Sequence, residues 1–151
     1  MSVYSLTGND NFILNDRVIN ELTDGSTVEV AYQNDRVGVS TGKNGNTVYA
    51  ENKTGLNAVV TLRVIRGGKD DKYLNGLSIQ QNKDLPSFSL MNGSFTKRVG
   101  DGSGSVKFDN YVLLGGVFQR FPDVQENLVG ETEQGTVVYT IIFAKAERSL
   151  A

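Results

Sequence analysis

The sequence predicts a mainly β fold, a β-sandwich or barrel with one flanking α-helix and a long hairpin loop. Three observations predict it. Glycines number 17 against two prolines. With Asn-Gly and Asp-Gly pairs they cut the chain into short apolar runs, the rhythm of strands and turns. Within those runs apolar residues recur at every second position, as on one face of a pleated strand. Only one segment carries helical spacing instead. The 151 residues are expected to form one domain, 1–151. A chain of that size buries roughly 70% of the surface its unfolded form exposes.

The first run, 12–19, sets Phe12, Leu14 and Val18 on one parity and Ile13 and Ile19 on the other, with Asn15-Asp16 as a tight turn inside it. Asp24-Gly25 is a second turn. In the strand expected over 27–32, Val28, Val30 and Tyr32 alternate with Thr27, Glu29 and Ala31, a half-buried pattern. The polar stretch 33–55 carries Asn44-Gly45 between Val37 and Val39 on one side and Val48 and Ala50 on the other, which reads as a hairpin or long loop. The clearest strand is 58–65, with Ala58, Val60, Leu62 and Val64 on one face; Gly67-Gly68 ends it. The helix is expected over 69–82. Tyr73, Leu74 and Leu77 have helical spacing, and Asp70 and Asp71 suit the positive end of the first turn. Gly76 weakens that helix by about 1 kcal/mol relative to Ala. After Pro86 come a strand over 87–99, a Gly-rich turn over 100–104, a run over 108–121 interrupted at Gly115-Gly116, and a last strand over 136–144. The late runs are apolar on both faces, more than a sheet with one wet face needs. Either a helix covers one side or neighbouring subunits cover the outward faces.

Missing residues exclude chemistry. The chain has no cysteine, hence no disulfide, thiol nucleophile or thiolate metal site. It has no histidine, so it holds neither a Ser-His-Asp triad nor a histidine-ligated zinc. Fifteen basic against 17 acidic residues leave a net charge of −2, with no basic stripe of the kind that grips nucleic acid. No apolar run approaches the ~20 residues of a membrane helix, and the first residues lack a signal-peptide pattern. No membrane and no cofactor are expected.

Four motifs fail on spacing or context. Gly38 to Lys43 resembles a phosphate loop, but only three residues separate Gly38 from Gly42, and Asn44 stands where a magnesium-binding Ser or Thr belongs. From Asp101, positions six and twelve of a calcium loop fall on Val106 and Val112. Asp70 with Asp71, and Glu131 with Glu133, read as helix-start and loop acids before they read as a catalytic pair. Tyr4, Tyr49 and Tyr111 offer aromatic surface, but without tryptophan a carbohydrate platform lacks its usual support. No enzymatic activity is expected.

Several stretches are familiar together: residues 2–19 (Ser-Val-Tyr-Ser-Leu-Thr-Gly-Asn-Asp-Asn-Phe-Ile-Leu-Asn-Asp-Arg-Val-Ile), 42–49, 60–67 followed by 69–75, 86–101 with Phe95-Thr96-Lys97-Arg98-Val99-Gly100-Asp101-Gly102, then 115–118 and 130–134. Their order and spacing, nearly end to end, resemble the tail-tube subunits of bacteriophages with contractile tails. That resemblance implies a structural virion protein, built in the host cytoplasm and found in the tail. It implies homohexameric rings stacked into a tube through which DNA passes during genome ejection without specific binding. Partners would be further copies, the tail sheath, a baseplate or initiator, and a tail terminator. The long stretch 33–57 is the expected ring-stacking arm, with contacts at Asp35, Arg36, Lys43, Asn44, Glu51 and Lys53; Tyr4 and Leu6 are expected N-terminal contacts. A phage-derived injection tube is a close variant. The alternative is a monomeric β-sandwich that binds carbohydrate or a receptor.

Overall fold

The computed structural model describes residues 2–7, 11–20, 22, 27–124 and 132–151; the turn expected at Asp24-Gly25 and the acid Glu131 lie outside them. Among the described residues, eleven strands and one α-helix follow in the order β1 (Ser5–Leu6), β2 (Asn11–Leu14), β3 (Arg17–Ile19), β4 (Val28–Tyr32), β5 (Val37–Thr41), β6 (Thr47–Glu51), β7 (Ala58–Ile65), α1 (Lys69–Lys83), β8 (Met91–Gly100), β9 (Val106–Phe118), β10 (Asp123–Val124) and β11 (Thr136–Leu150). Nine strands form a single sheet with the order β3-β2-β8-β9-β11-β7-β4; β1 also pairs with β8, and β10 with β11. The strands β5 and β6 form a separate ribbon.

The expected β-rich fold with one helix is present, built as one large antiparallel sheet. Its inner face is built by parity. Ala58, Val60, Leu62 and Val64 of β7 lie in register beside Phe143, Ile141, Tyr139 and Val137 of β11, and all eight are buried. Phe12, Leu14, Ile19, Met91, Leu113 and Phe118 complete the same cluster from the other strands. The two ends of the sheet approach each other. Leu22, just past β3, makes a single bridge to Val64 on β7, second from the opposite edge. The Asn15-Asp16 turn works as expected. Both residues hold positive φ, 50° and 63°, as a two-residue hairpin loop requires and as Asn and Asp tolerate.

The helix covers the inner face. Leu74 is fully buried, and Tyr73 and Leu77 pack on the cluster. Three polar ties fix its position. Gln81 grips the backbone of Phe118 twice, accepting its N–H at 2.7 Å and donating to its carbonyl at 2.9 Å. The Tyr139 hydroxyl donates to Asp71 Oδ1 at 2.6 Å. Asp70, buried, accepts the Asn20 N–H at 2.9 Å and pairs with Arg17 at 3.3 Å, and Arg17 stacks over the Tyr73 ring.

Three expected boundaries move. The strand after Pro86 starts at Met91, because residues Leu85–Ser87 form a 3-10 turn with proline in its first positions. Glycines 115 and 116 do not interrupt β9. The β8–β9 pairing shifts between Met91 and Gly93, and Gly115 absorbs the extra residue with φ 69° and its N–H on Asn92 Oδ1. Gly116 leaves room for the Phe143 ring, 2.5 Å from where a Cβ would stand. The last strand runs to Leu150 and not Ala144, since β9 pairs it as far as Asp109.

Two glycine-to-alanine changes should move stability in opposite directions. At Gly93 a Cβ would sit 2.8 Å from the Ile13 carbonyl oxygen, so Gly93→Ala should destabilise by about 1–3 kcal/mol. At Gly76 a Cβ would meet nothing within 4 Å, so Gly76→Ala should stabilise by roughly 1 kcal/mol. Urea unfolding of both variants measures the two signs.

Candidate functional site

Beyond the last buried pair, Leu113 and Ala146, the sheet continues as an extension of β8, β9 and β11, with the start of β2 and then β1 along the outer side of β8. Its near end packs on the core through Phe95 and Tyr111, and its two sides end differently. On one side β2 covers Gly93–Thr96 of β8 and β1 covers Val99 and Gly100, which makes β1 the outermost strand there. On the other, β7 stops at Ala58, opposite Phe143, so no described strand lies beside residues 145–150 of β11. Backbone exchange between Phe108 and Ala151, at 2.6 and 3.1 Å, sets which groups point which way. Because the direction alternates, the N–H groups of Arg148 and Leu150 face the open side. The Tyr32 hydroxyl donates to the Ala146 carbonyl at 3.0 Å and marks where that open edge begins.

A bidentate ion pair stiffens the extension. Arg148 donates from Nε and Nη2 to the two oxygens of Asp109, at 2.7 and 2.8 Å, across the β9–β11 ladder. Those bonds hold the Asp109 carboxyl below the usual carboxylate range and raise Arg148, although burial pulls Asp109 the other way. At the β8–β9 turn, Asp101 Oδ1 accepts the Ser103 N–H and hydroxyl, both at 2.8 Å, and the Ser105 N–H. The same bonds lower the Asp101 carboxyl. The suspected calcium loop is thus a turn whose acid is occupied by its own backbone.

The polar stretch folds into an arm. β5 and β6 pair from Val37–Glu51 to Thr41–Thr47, and all ten strand residues are exposed. Its loop has three residues, Lys43, Asn44 and Gly45: Gly42 donates to the Asn46 carbonyl, Gly45 to the Gly42 carbonyl, and Gly45 holds φ 83°. This is a turn closed by a left-handed glycine, one residue longer than an Asn-Gly two-residue loop. The phosphate-loop candidate Gly38 to Lys43 is therefore strand and tip. The expected contact residues divide into two groups. Arg36, Glu51 and Lys53 line a groove of about 510 Å³ at the base, with Val37, Asn52 and Leu56. Lys43 and Asn44 stand at the tip, about 17 Å away along five residues of strand. Asp35 adjoins the base beside Arg36. Tyr4 and Leu6 are 73% and 64% exposed, Leu6 within β1 at the edge of the extension.

The acids singled out as catalytic candidates hold the fold. Asp70 and Asp71 are neighbours in sequence but accept from different groups, Arg17 and Asn20 in one case, Tyr139 and Gly67 in the other. Burial and Asp71 push the Tyr139 hydroxyl far above its ordinary value. Glu131 and the side chain of Glu133 lie outside the described residues. Among the described residues no cluster of three or more metal-ligating side chains occurs. A groove of about 530 Å³ on the outer face is lined by Thr61, Thr136, Thr140, Arg63, Arg120 and Asp123.

Sequence reasoning missed the open edge of β11. Its residues Ala144, Lys145, Ala146 and Glu147 favour helix, and pairing with β9 overrides that preference. The faint signal was the alternation of Ala146, Arg148 and Leu150 with Lys145, Glu147 and Ser149.

No family model matches the sequence, and no curated protein matches it. Solved structures do match the fold. The tube-terminating cap of the anti-feeding prophage aligns with a TM-score of 0.62 at 11% identity, over 99% of this chain and 93% of that one. The sheath/tube terminator of the PVC extracellular contractile injection system, in its extended state, aligns with a TM-score of 0.58 at 10% identity, over 94% of each chain.

The lowered carboxyls set the response to acid. A carboxyl depressed in the folded state adds stability above its unfolded value, near about 3.9, and loses it as pH falls through the folded value. Stability should be flat from neutrality to about pH 5 and fall below about pH 4. The variant Asp109→Asn should make the acid limb shallower, leaving the part due to Asp101. Urea midpoints across acid pH check it; identical slopes in both proteins would refute it.

Proposed function

We propose that this chain is a structural subunit of a phage-type contractile tail, whose copies close into a ring around the tube axis. The observation that carries the reading is the extension with two open sides. Three antiparallel pairings separate β1 from β11, so the two outer strands run in opposite directions. An antiparallel join between β11 of one copy and β1 of the next then continues the sheet without a break in pattern. A ring of such joins pairs both open sides of the extension, and closure is the most complete way to manage exposed edge strands. The likeness to two tube terminators along nearly the whole chain supports the same place in a tail. The balanced charge suits a conduit that DNA passes without being held.

Partners in this reading are further copies, the sheath, the baseplate or initiator, and whatever ring adjoins it. The arm is the stacking element. It contributes Lys43 and Asn44 at its tip, and Asp35, Arg36, Glu51 and Lys53 at its base. The N-terminal contacts Tyr4 and Leu6 lie at the closing edge. Two positions in the tail share this geometry. A repeating tube ring follows from the sequence resemblance, and a terminal ring that ends the tube is favoured by the two structural likenesses.

Electron microscopy of the concentrated protein tests the reading. Rings support it, with growing tubes marking the repeating subunit and single rings of fixed height the terminal one. Monomers at every concentration would overturn it in favour of a binding module. Two variants separate the steps. Leu150→Pro removes an N–H that faces the open edge and touches no ladder bond to β9; it should leave a folded monomer that no longer closes rings. Deletion of residues 38–50 removes an arm whose strand residues are all exposed; rings should form but fail to stack. Stacked tubes of normal length from that deletion would sink the role of the arm.

A further inference from the structure

The chain contains three Asn-Gly pairs, Asn44-Gly45, Asn75-Gly76 and Asn92-Gly93. An asparagine before glycine is open to self-reaction, because no side chain on the glycine hinders attack by its nitrogen on the asparagine side chain. The reaction also needs a backbone free to bring that nitrogen to Cγ. The structure separates the three pairs on this second condition.

Asn75 and Gly76 lie in the middle of α1, where each N–H is bonded one turn back. Asn92 and Gly93 lie in β8 between two strands. Asn92 donates its N–H to Asn15 and accepts the Gly115 N–H on Oδ1, and Gly93 stands against the Ile13 carbonyl. Asn44 and Gly45 stand at the tip of the exposed arm. Gly45 has nothing within 4 Å of its Cβ position, and its N–H is restrained by one turn bond to the Gly42 carbonyl at 3.0 Å. Loop-tip bonds of this kind open at almost no cost, whereas ladder and helix bonds open only with their element.

We propose that Asn44 is a site of spontaneous deamidation, which turns the neutral tip of the arm into a carboxylate. The Gly45 nitrogen gives its proton to solvent and bonds to Asn44 Cγ; Nδ2 takes a proton back from solvent, the Cγ–Nδ2 bond breaks and ammonia leaves. Water then opens the five-membered imide. Attack at Cγ yields aspartate, and attack at the main-chain carbonyl yields isoaspartate. No oxidant is involved. The new charge offsets Lys43 beside it. The isoaspartyl product also adds a methylene to the main chain of a three-residue loop, which then no longer fits the Thr41–Thr47 register.

The test is to hold the full chain at mildly alkaline pH and follow each pair by peptide mapping. Trypsin cuts after Lys43 and Lys53 and isolates residues 44–53, in which fragmentation assigns the amide-to-acid mass gain to Asn44, Asn46 or Asn52. Asn44 should convert about tenfold or more faster than Asn75 and Asn92, the factor that element opening imposes on them. In Asn44→Gln the gain should vanish from that peptide. Similar rates at all three pairs, faster reaction at Asn92, or a gain assigned to Asn46 or Asn52 would overturn the proposal.

Discussion

The fold depends on one strand being shared. β11 pairs with β7 over residues 136–143 and with β9 over 141–150, so residues 141–143 are held on both sides. Its first half carries Val137, Tyr139, Ile141 and Phe143 into the core, and its second half leaves the core as part of the extension. A slip of one residue would turn all four side chains out to solvent. Three contacts oppose that slip: the Tyr139 hydroxyl on Asp71, the Gln119 N–H on the Thr140 carbonyl, and the fit of Phe143 over Gly116. Body and extension are therefore one rigid ladder, and a force on the open edge is passed directly to the packed core.

The same strand must keep its edge open without aggregating. Exposed edges recruit other chains unless something discourages it, and charge is one such means. Lys145, Glu147 and Arg148 supply it here, with Lys145 and Glu147 paired at 3.0 Å. Pairs as exposed as Lys145–Glu147 stabilise little. Their use is selection, since they penalise flat, indiscriminate pairing while leaving main-chain donors free for a matched edge. Without histidine, no side chain of ordinary pKa changes charge between pH 5 and 8, so that selection does not shift over the range.

The sequence made the body of the fold legible, because there local preference and burial agree. β7 alternates strictly, α1 starts on two acids, and Asn15-Asp16 has few uses other than a turn. Boundaries failed where tertiary contact outweighed local preference. Gly115-Gly116 reads as a break from composition alone, but it is a bulge beside a close ring contact. The end of β11 reads as helix or coil, but β9 lies next to it. The hairpin was legible from its length and its turn signals, while the split of its charged residues between base and tip required the pairing of β5 with β6. The open edge itself left no mark beyond the alternation over residues 145–150, since a missing neighbour adds none.

In the proposed ring, closure and stacking reside on different elements. Closure uses main-chain groups of the extension, which vary little with side chain. Stacking uses the arm, a two-stranded ribbon with Val37, Val39 and Tyr49 on one face and Gly38, Ser40, Val48 and Ala50 on the other. A lone ribbon is at best marginally stable in water, and the apolar face of this one is exposed throughout, so a neighbour that covers it stabilises the ribbon and the contact together. Changes in the arm can thus alter what a ring stacks on without touching how it closes. One scaffold can then serve as a repeating ring or as a last one, the difference lying in whether the arm of the next copy finds a face that fits it.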